Sequence, residues 1–185
     1  GQQTPVNLKF NNIRTKNDLA KRLSDQLMFS EQEVMDALNN FAINEKYGLN
    51  NETIATMFIP NTYEVYWNIH VDKLFDRMHT EYKKFWNENR LKKAKEINLT
   101  PTEVSVLASI VEEECFFTDE YPVVAGLYLN RLKRGQLLQA DPTVKFAVGD
   151  FTIRRVLNIH TQPESPYNTY KYAGLPPGPI RIPSI

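Results

Sequence analysis

Residues 107–115 read Leu107-Ala-Ser-Ile-Val-Glu-Glu-Glu-Cys115, an apolar helical run that ends in three acids. At about 100° per residue, neighbouring positions on a helix point in very different directions. Val104, Leu107, Ala108, Val111 and Cys115 form one apolar arc, with Ile110 on its flank. Glu114 falls inside that arc, Glu112 lies just beyond its opposite edge, and Glu113 points away from it. Burial disfavours the charged form of a carboxyl and raises its pKa, which is how a protein keeps an acid protonated near neutral pH. The geometry predicts that Glu114 is aimed at the buried side of its own helix and is a candidate general acid. The plain alternative is a glutamate that curls out to solvent or pairs with a buried arginine.

Upstream, Thr100-Pro101-Thr102-Glu103 has the pattern of a helix start, with a capping threonine, a first-turn proline and a glutamate that completes a capping box. Downstream, Pro122 opens a helix carrying Val123, Val124 and Leu127 to a stop at Gly135. Asp141-Pro142-Thr143 reads as the cap and first turn of a short helix ending at Gly149. Nearer the N-terminus, Val6, Leu8 and Phe10 alternate with polar residues as a short strand would. Thr15-Lys-Asn-Asp18 and Ser30-Glu-Gln-Glu33 resemble helix starts, the second a full capping box. One long helical pattern runs from Val71 to Glu96. The expected fold class is α+β, mostly helical with a small β component. A helical part covers residues 1–100 and a catalytic core covers 101–185.

The 22 Lys and Arg balance 22 Asp and Glu, which argues against a nucleic-acid binder that works through a basic field. One cysteine cannot form an intramolecular disulfide. No apolar run is long enough to cross a bilayer. His70, His79 and His160 have no metal-ligand spacing, and no Gly-rich phosphate loop or nucleophile elbow occurs. Neither metal nor cofactor is expected. After His160 the helical pattern stops, leaving Ser165-Pro-Tyr-Asn-Thr-Tyr170 and Gly174-Leu-Pro-Pro-Gly-Pro179. Tyr167, Asn168, Thr169 and Tyr170 place four hydrogen-bonding side chains beside a stiffened backbone, a set suited to holding a sugar. A linker is the bland reading of the same stretch. Gln139 could be a surface side chain, and a helix cap is the commoner role for an Asp before Pro, as at Asp141.

Five segments occur in one order: Leu107-Ala-Ser-Ile-Val-Glu-x-Glu114, Val124-Ala-Gly-x-x-x-Asn-Arg-Leu132, Leu138-Gln-Ala-Asp-Pro-Thr-Val144, Ser165-Pro-Tyr-Asn-Thr-Tyr170 and Gly174-Leu-Pro-Pro-Gly-Pro-Ile180. Together they closely resemble the YceG-like family, the endolytic murein transglycosylases. Ile59-Pro-Asn-Thr-Tyr-Glu64 is similar to the family's Pro-Asp-Thr-Tyr segment, with Asn61 in place of Asp. The resemblance implies cleavage of the β-1,4 bond between N-acetylmuramic acid and N-acetylglucosamine, leaving a 1,6-anhydro end. It also implies a lysozyme-like site built on one glutamate, Glu114, the second acid of Glu-x-Glu. Glu112, Asn130, Gln139, Asp141, Thr143, Tyr167, Asn168, Thr169 and Tyr170 are the candidate substrate contacts, Glu112 also as a like-charge neighbour that raises the pKa of Glu114. The partners it implies are peptidoglycan strands and peptidoglycan synthases. It further implies a single-pass anchor in the cytoplasmic membrane and a LysM-like module before this chain, an extracytoplasmic catalytic part, and further sheet-forming segments after Ile185. Ile182-Pro-Ser184 stands where the family usually has Asn-Pro-Gly.

Overall fold

A computed structural model describes residues 3–185. The chain divides into two compact units, residues 1–92 with 181–185, and residues 93–180. The boundary falls eight residues before the one expected from sequence, and the last five residues return to the first unit. They do so because Ile182 is buried in that unit's core and its N–H donates to the Ile13 carbonyl at 2.8 Å.

In the first unit β1 (Pro5–Phe10) and β2 (Asn61–Tyr66) pair antiparallel, with Val6 opposite Val65 and Leu8 opposite Tyr63. Leu8, Phe10, Tyr63 and Val65 are buried and their alternating neighbours are not, the period-2 pattern of a sheet with one covered face. Three short helices lie between the strands: α1 (Lys16–Ser24), α2 (Glu31–Leu38) and α3 (Phe41–Lys46). The reciprocal capping box forms at Thr15 and Asp18. At Ser30, where a full box was expected, the bond present is the half in which the hydroxyl accepts from the Glu33 N–H, and Asn40 caps α3 in the same manner.

The long pattern from Val71 is two helices, α4 (Val71–Phe85) and α5 (Glu88–Glu96). The chain leaves helical geometry at Trp86, which has ψ 62. Asn87 then caps the new helix by accepting from the Arg90 N–H at 2.9 Å. Arg90 reaches back to the Phe85 carbonyl and lies 4.2 Å from the centre of its ring. A buried Trp86 anchors the corner.

The second unit is built around α6 (Pro101–Glu114), with α7 (Tyr121–Lys133) and α8 (Asp141–Val148) packed against it. The Thr100–Glu103 capping box forms, and Pro101 occupies the first turn. Burial on α6 is wider than one apolar arc, because Ser105, Val106 and Ser109 are buried along with Leu107, Ile110 and Val111. Ser109 explains why a polar residue sits there. Its hydroxyl donates to the Val106 carbonyl at 2.6 Å and accepts from the Ile180 N–H at 3.1 Å. The Pro-rich segment is thus a packed strap and not a linker: Pro176, Gly178, Pro179 and Ile180 are all buried. Among the described residues, no helix is long and apolar enough to cross a membrane.

Candidate active site

Glu114 is the last residue of α6; Cys115 after it is already extended, at φ −108 and ψ 136. With no further helical turn to cover it, the Glu114 side chain is exposed, while Glu112 and Glu113 are half-buried. This corrects the expectation drawn from the arc, which put Glu114 on the covered side and Glu113 in solvent. The carboxyl still has protein around it. Loss of solvation is the main cause that raises its pKa, the Asp141 carboxylate raises it further, and Lys145 opposes both. The like-charge neighbour is therefore Asp141 and not Glu112. Two residues back is about 200° around the helix, so Glu112 and Glu114 leave α6 on nearly opposite sides.

Asp141 is also not the helix cap. Ala140 occupies the cap position with no side-chain bond, and Asp141 stands in the first turn of α8. Its carboxylate instead accepts from the Tyr170 hydroxyl at 2.5 Å. Burial and that bond push the Tyr170 phenol up to about 12. Lys145 lies one turn along α8 from Asp141, so the two share a face. Gly149 ends the helix at φ 82, a left-handed conformation that costs glycine little.

Tyr128 and Lys145 complete the group, and sequence reasoning missed both. Tyr128 is buried on α7, and burial followed by the charge of Glu114 raises its pKa well above the ordinary phenol. Arg131, one turn further, opposes that rise and donates to the Leu138 carbonyl at 2.5 Å. The available signal was the spacing of Val124, Tyr128 and Arg131 on one helical face.

The other predicted contacts divide by burial. Thr143, Asn168 and Thr169 are buried and hold the framework instead of facing a ligand. Asn168 donates to the Thr161 and Pro163 carbonyls and accepts from the Tyr170 N–H, at 3.0, 2.9 and 3.0 Å. Thr169 accepts from the Ala140 N–H at 2.9 Å, and its hydroxyl lies 2.7 Å from that of Thr143. Gln139 is exposed at φ 49, an uncommon region for a residue with a side chain. Its N–H donates to the Thr169 carbonyl at 3.1 Å. This turn joins the start of α8 to the loop that carries Tyr170. Tyr167 is half-buried with its ring 4.7 Å from Phe146. Asn130 is exposed and lines a separate cavity of about 350 Å³ with Ile97, Leu99 and Leu129. It is not brought to Glu114, because it leaves α7 about 200° around from Tyr128.

Thr169→Val tests this framework, since it removes the acceptor of a buried N–H. We expect a loss of about 1–3 kcal/mol, read as a lower denaturation midpoint.

Glu114, Tyr128, Asp141, Lys145 and Tyr170 thus come from α6, α7, α8 and one loop to a single electrostatic neighbourhood. Such a site sets a carboxyl whose pKa is raised beside a second carboxyl that accepts a hydrogen bond, an arrangement suited to acid–base chemistry. Among the described residues, no three His, Cys, Asp or Glu side chains cluster as a metal site would require.

Known proteins resemble this chain in sequence and in fold. The chain is 33% identical over 130 residues to an endolytic murein transglycosylase of Streptococcus pneumoniae serotype 2, an alignment covering 68% of this chain and 23% of that protein. It is 46% identical over 74 residues to the endolytic murein transglycosylase of Bacillus subtilis, covering 40% of this chain and 20% of that protein. The chain therefore spans about a quarter or less of the length of these curated relatives. The crystal structure of a yceG-like protein from Listeria monocytogenes has the same fold, with a TM-score of 0.78 at 23% identity over 98% of this chain and 64% of that one. The YceG-like family's sequence profile matches residues 1–185, and the chain belongs to that family.

Proposed function

We propose that this chain carries the active site of a peptidoglycan lytic transglycosylase, with Glu114 as its one acid and base. The observation that carries the reading is the placement of Glu114 at the end of α6 beside Asp141 and the Tyr170 that Asp141 holds, a setting in which lost solvation and the Asp141 charge raise its pKa. The names of the Streptococcus and Bacillus relatives support it. Glu114 in its protonated form gives its proton to the glycosidic oxygen as the bond from muramic acid C1 breaks. The resulting carboxylate accepts the proton of the C6 hydroxyl as that oxygen bonds to C1, closing the 1,6-anhydro ring. No water enters the product, and Glu114 ends protonated for the next cycle. The C6 hydroxyl belongs to the reacting sugar, so its attack has the high effective concentration of an intramolecular reaction. One carboxyl suffices, in a lysozyme-like arrangement with a single glutamate. Tyr170 and Tyr128 stay neutral phenols that can donate to sugar oxygens.

The same reading places the protein at the outer face of the cytoplasmic membrane, held by an anchor that precedes this chain. Its work there is to end glycan-strand growth beside the peptidoglycan synthases. Digestion of purified peptidoglycan tests the activity. Muropeptides one water lighter than the reducing forms are expected at the new ends, read by mass spectrometry, and only reducing ends would refute it.

One observation favours a second reading. Asp141 is another carboxylate acting on Glu114, and hydrolases of the muramidase type use two. A third reading, a glycan-binding scaffold without catalysis, predicts no new ends of either kind.

The charges around Glu114 give a signed pair of tests. Activity requires protonated Glu114, so it falls as pH rises through that group's pKa. Asp141→Asn removes a charge that raises the pKa, and the basic limb of the kcat/KM profile moves to lower pH. Lys145→Met removes a charge that lowers it, and the limb moves to higher pH. Identical limbs in both variants would show that Glu114 is not the titrating acid.

A further inference from the structure

Phe116 is 97% exposed and Phe117 68%, the two residues that begin the loop between α6 and α7. An aromatic ring is a large apolar body that contributes most when covered, so a ring left as fully in water as that of Phe116 points to a ligand. Cys115 and Phe117 are both extended, and alternate side chains of an extended segment leave on opposite sides. Cys115 packs against the core of the second unit, which sends Phe116 outward. Two residues of chain put the Phe116 Cα within about 7 Å of that of Glu114.

We infer that Phe116 is an aromatic platform on which a sugar ring of the glycan strand stacks next to the bond presented to Glu114. The inference rests on the transglycosylase reading for its ligand. The flat apolar face of a pyranose suits an aromatic ring, and the platform continues directly from the candidate acid. The local charge argues against a membrane surface as the occupant. Residues 112–120, which flank Phe116, contain five acids and no Lys or Arg, and anionic lipid headgroups attract basic segments, not acidic ones.

The test is calorimetric binding of soluble, uncrosslinked glycan strands to the Glu114→Gln protein, with Phe116→Ala and Phe116→Trp added to that background. Phe116→Ala is expected to weaken binding about tenfold, and Phe116→Trp to restore it to within about twofold. Thermal midpoints should stay unchanged, since the Phe116 ring is in solvent. With Glu114 intact, Phe116→Ala should raise KM and leave kcat within about twofold. Unchanged glycan affinity in Phe116→Ala would overturn the platform, as would Phe116-dependent flotation with anionic vesicles at unchanged glycan affinity. Residual cleavage by Glu114→Gln would count against Glu114 as the acid, while the platform is judged on the binding data alone.

Discussion

Glu114→Gln is expected to lower release of anhydro-muropeptides by roughly 10²–10⁴-fold, the range that a positioned acid–base group contributes. The amide keeps the size of the side chain and one acceptor oxygen, but it can neither deliver a proton to the leaving oxygen nor take one from the C6 hydroxyl. Glu114 is exposed and ends its helix, so the substitution removes no core contact and the thermal midpoint should stay near wild type. Glycan binding should persist, which makes the expected signature a loss of kcat at nearly constant affinity. Glu112→Gln and Glu113→Gln are the internal comparisons. Both sit on the same last turn, and neither charge is among those acting on Glu114, so each should retain activity within about tenfold. Equal losses in all three variants would point to a general role of the acidic helix end.

Asn168→Ala should have the largest effect on stability. The side chain is fully buried and makes three hydrogen bonds within one loop. Alanine leaves the Thr161 and Pro163 carbonyls and the Tyr170 N–H without those partners and opens a small cavity. Stranded buried groups are costly, and a total on the order of 3 kcal/mol is expected. For a chain of this size that is roughly a 6–12 °C lower midpoint. Activity should fall as well, because the loop carries Tyr170 and Tyr170 holds Asp141. Tyr170→Phe separates the two effects. It removes the bond to Asp141 and leaves the Asn168 network intact, so the pH profile should shift with little change in midpoint. An Asn168→Ala protein with a wild-type midpoint and lost glycan affinity would mean that the amide contacts sugar directly.

Helix starts were legible because a cap is a local device. Thr15, Ser30 and Thr100 each accept from the N–H three residues on, and each stands in a readable four-residue pattern. The break at Trp86 and Asn87 was hidden because the apolar spacing carries on across it, while the decisive bond is from Arg90 N–H to the Asn87 side chain. Strand β2 carries the same local alternation as β1, with Tyr63 and Val65 buried and Thr62, Glu64 and Tyr66 exposed, a signal that the reading of its motif passed over. The site shows the same contrast. The ordered motifs marked Glu114, Asp141 and Tyr170, but not what each one does. Asp141 reads locally as a cap before Pro142, and only the fold brings Tyr170 to it from 29 residues away. Asn168 and Thr169 read as ligand contacts because amides and hydroxyls bind sugars, yet they also bind buried backbone, and burial decides between the two uses. Helix periodicity placed Glu114 inside an apolar arc, although a helix end is open on the side where the next turn would have been.

In the proposed reaction one carboxyl performs the cleavage without water. Digesting purified glycan strands in oxygen-18 water tests it most directly, with mass spectrometry of the new muramic acid ends as readout. The expected products are anhydro ends that carry no oxygen-18. New reducing ends carrying one oxygen-18 atom each would mean hydrolysis instead.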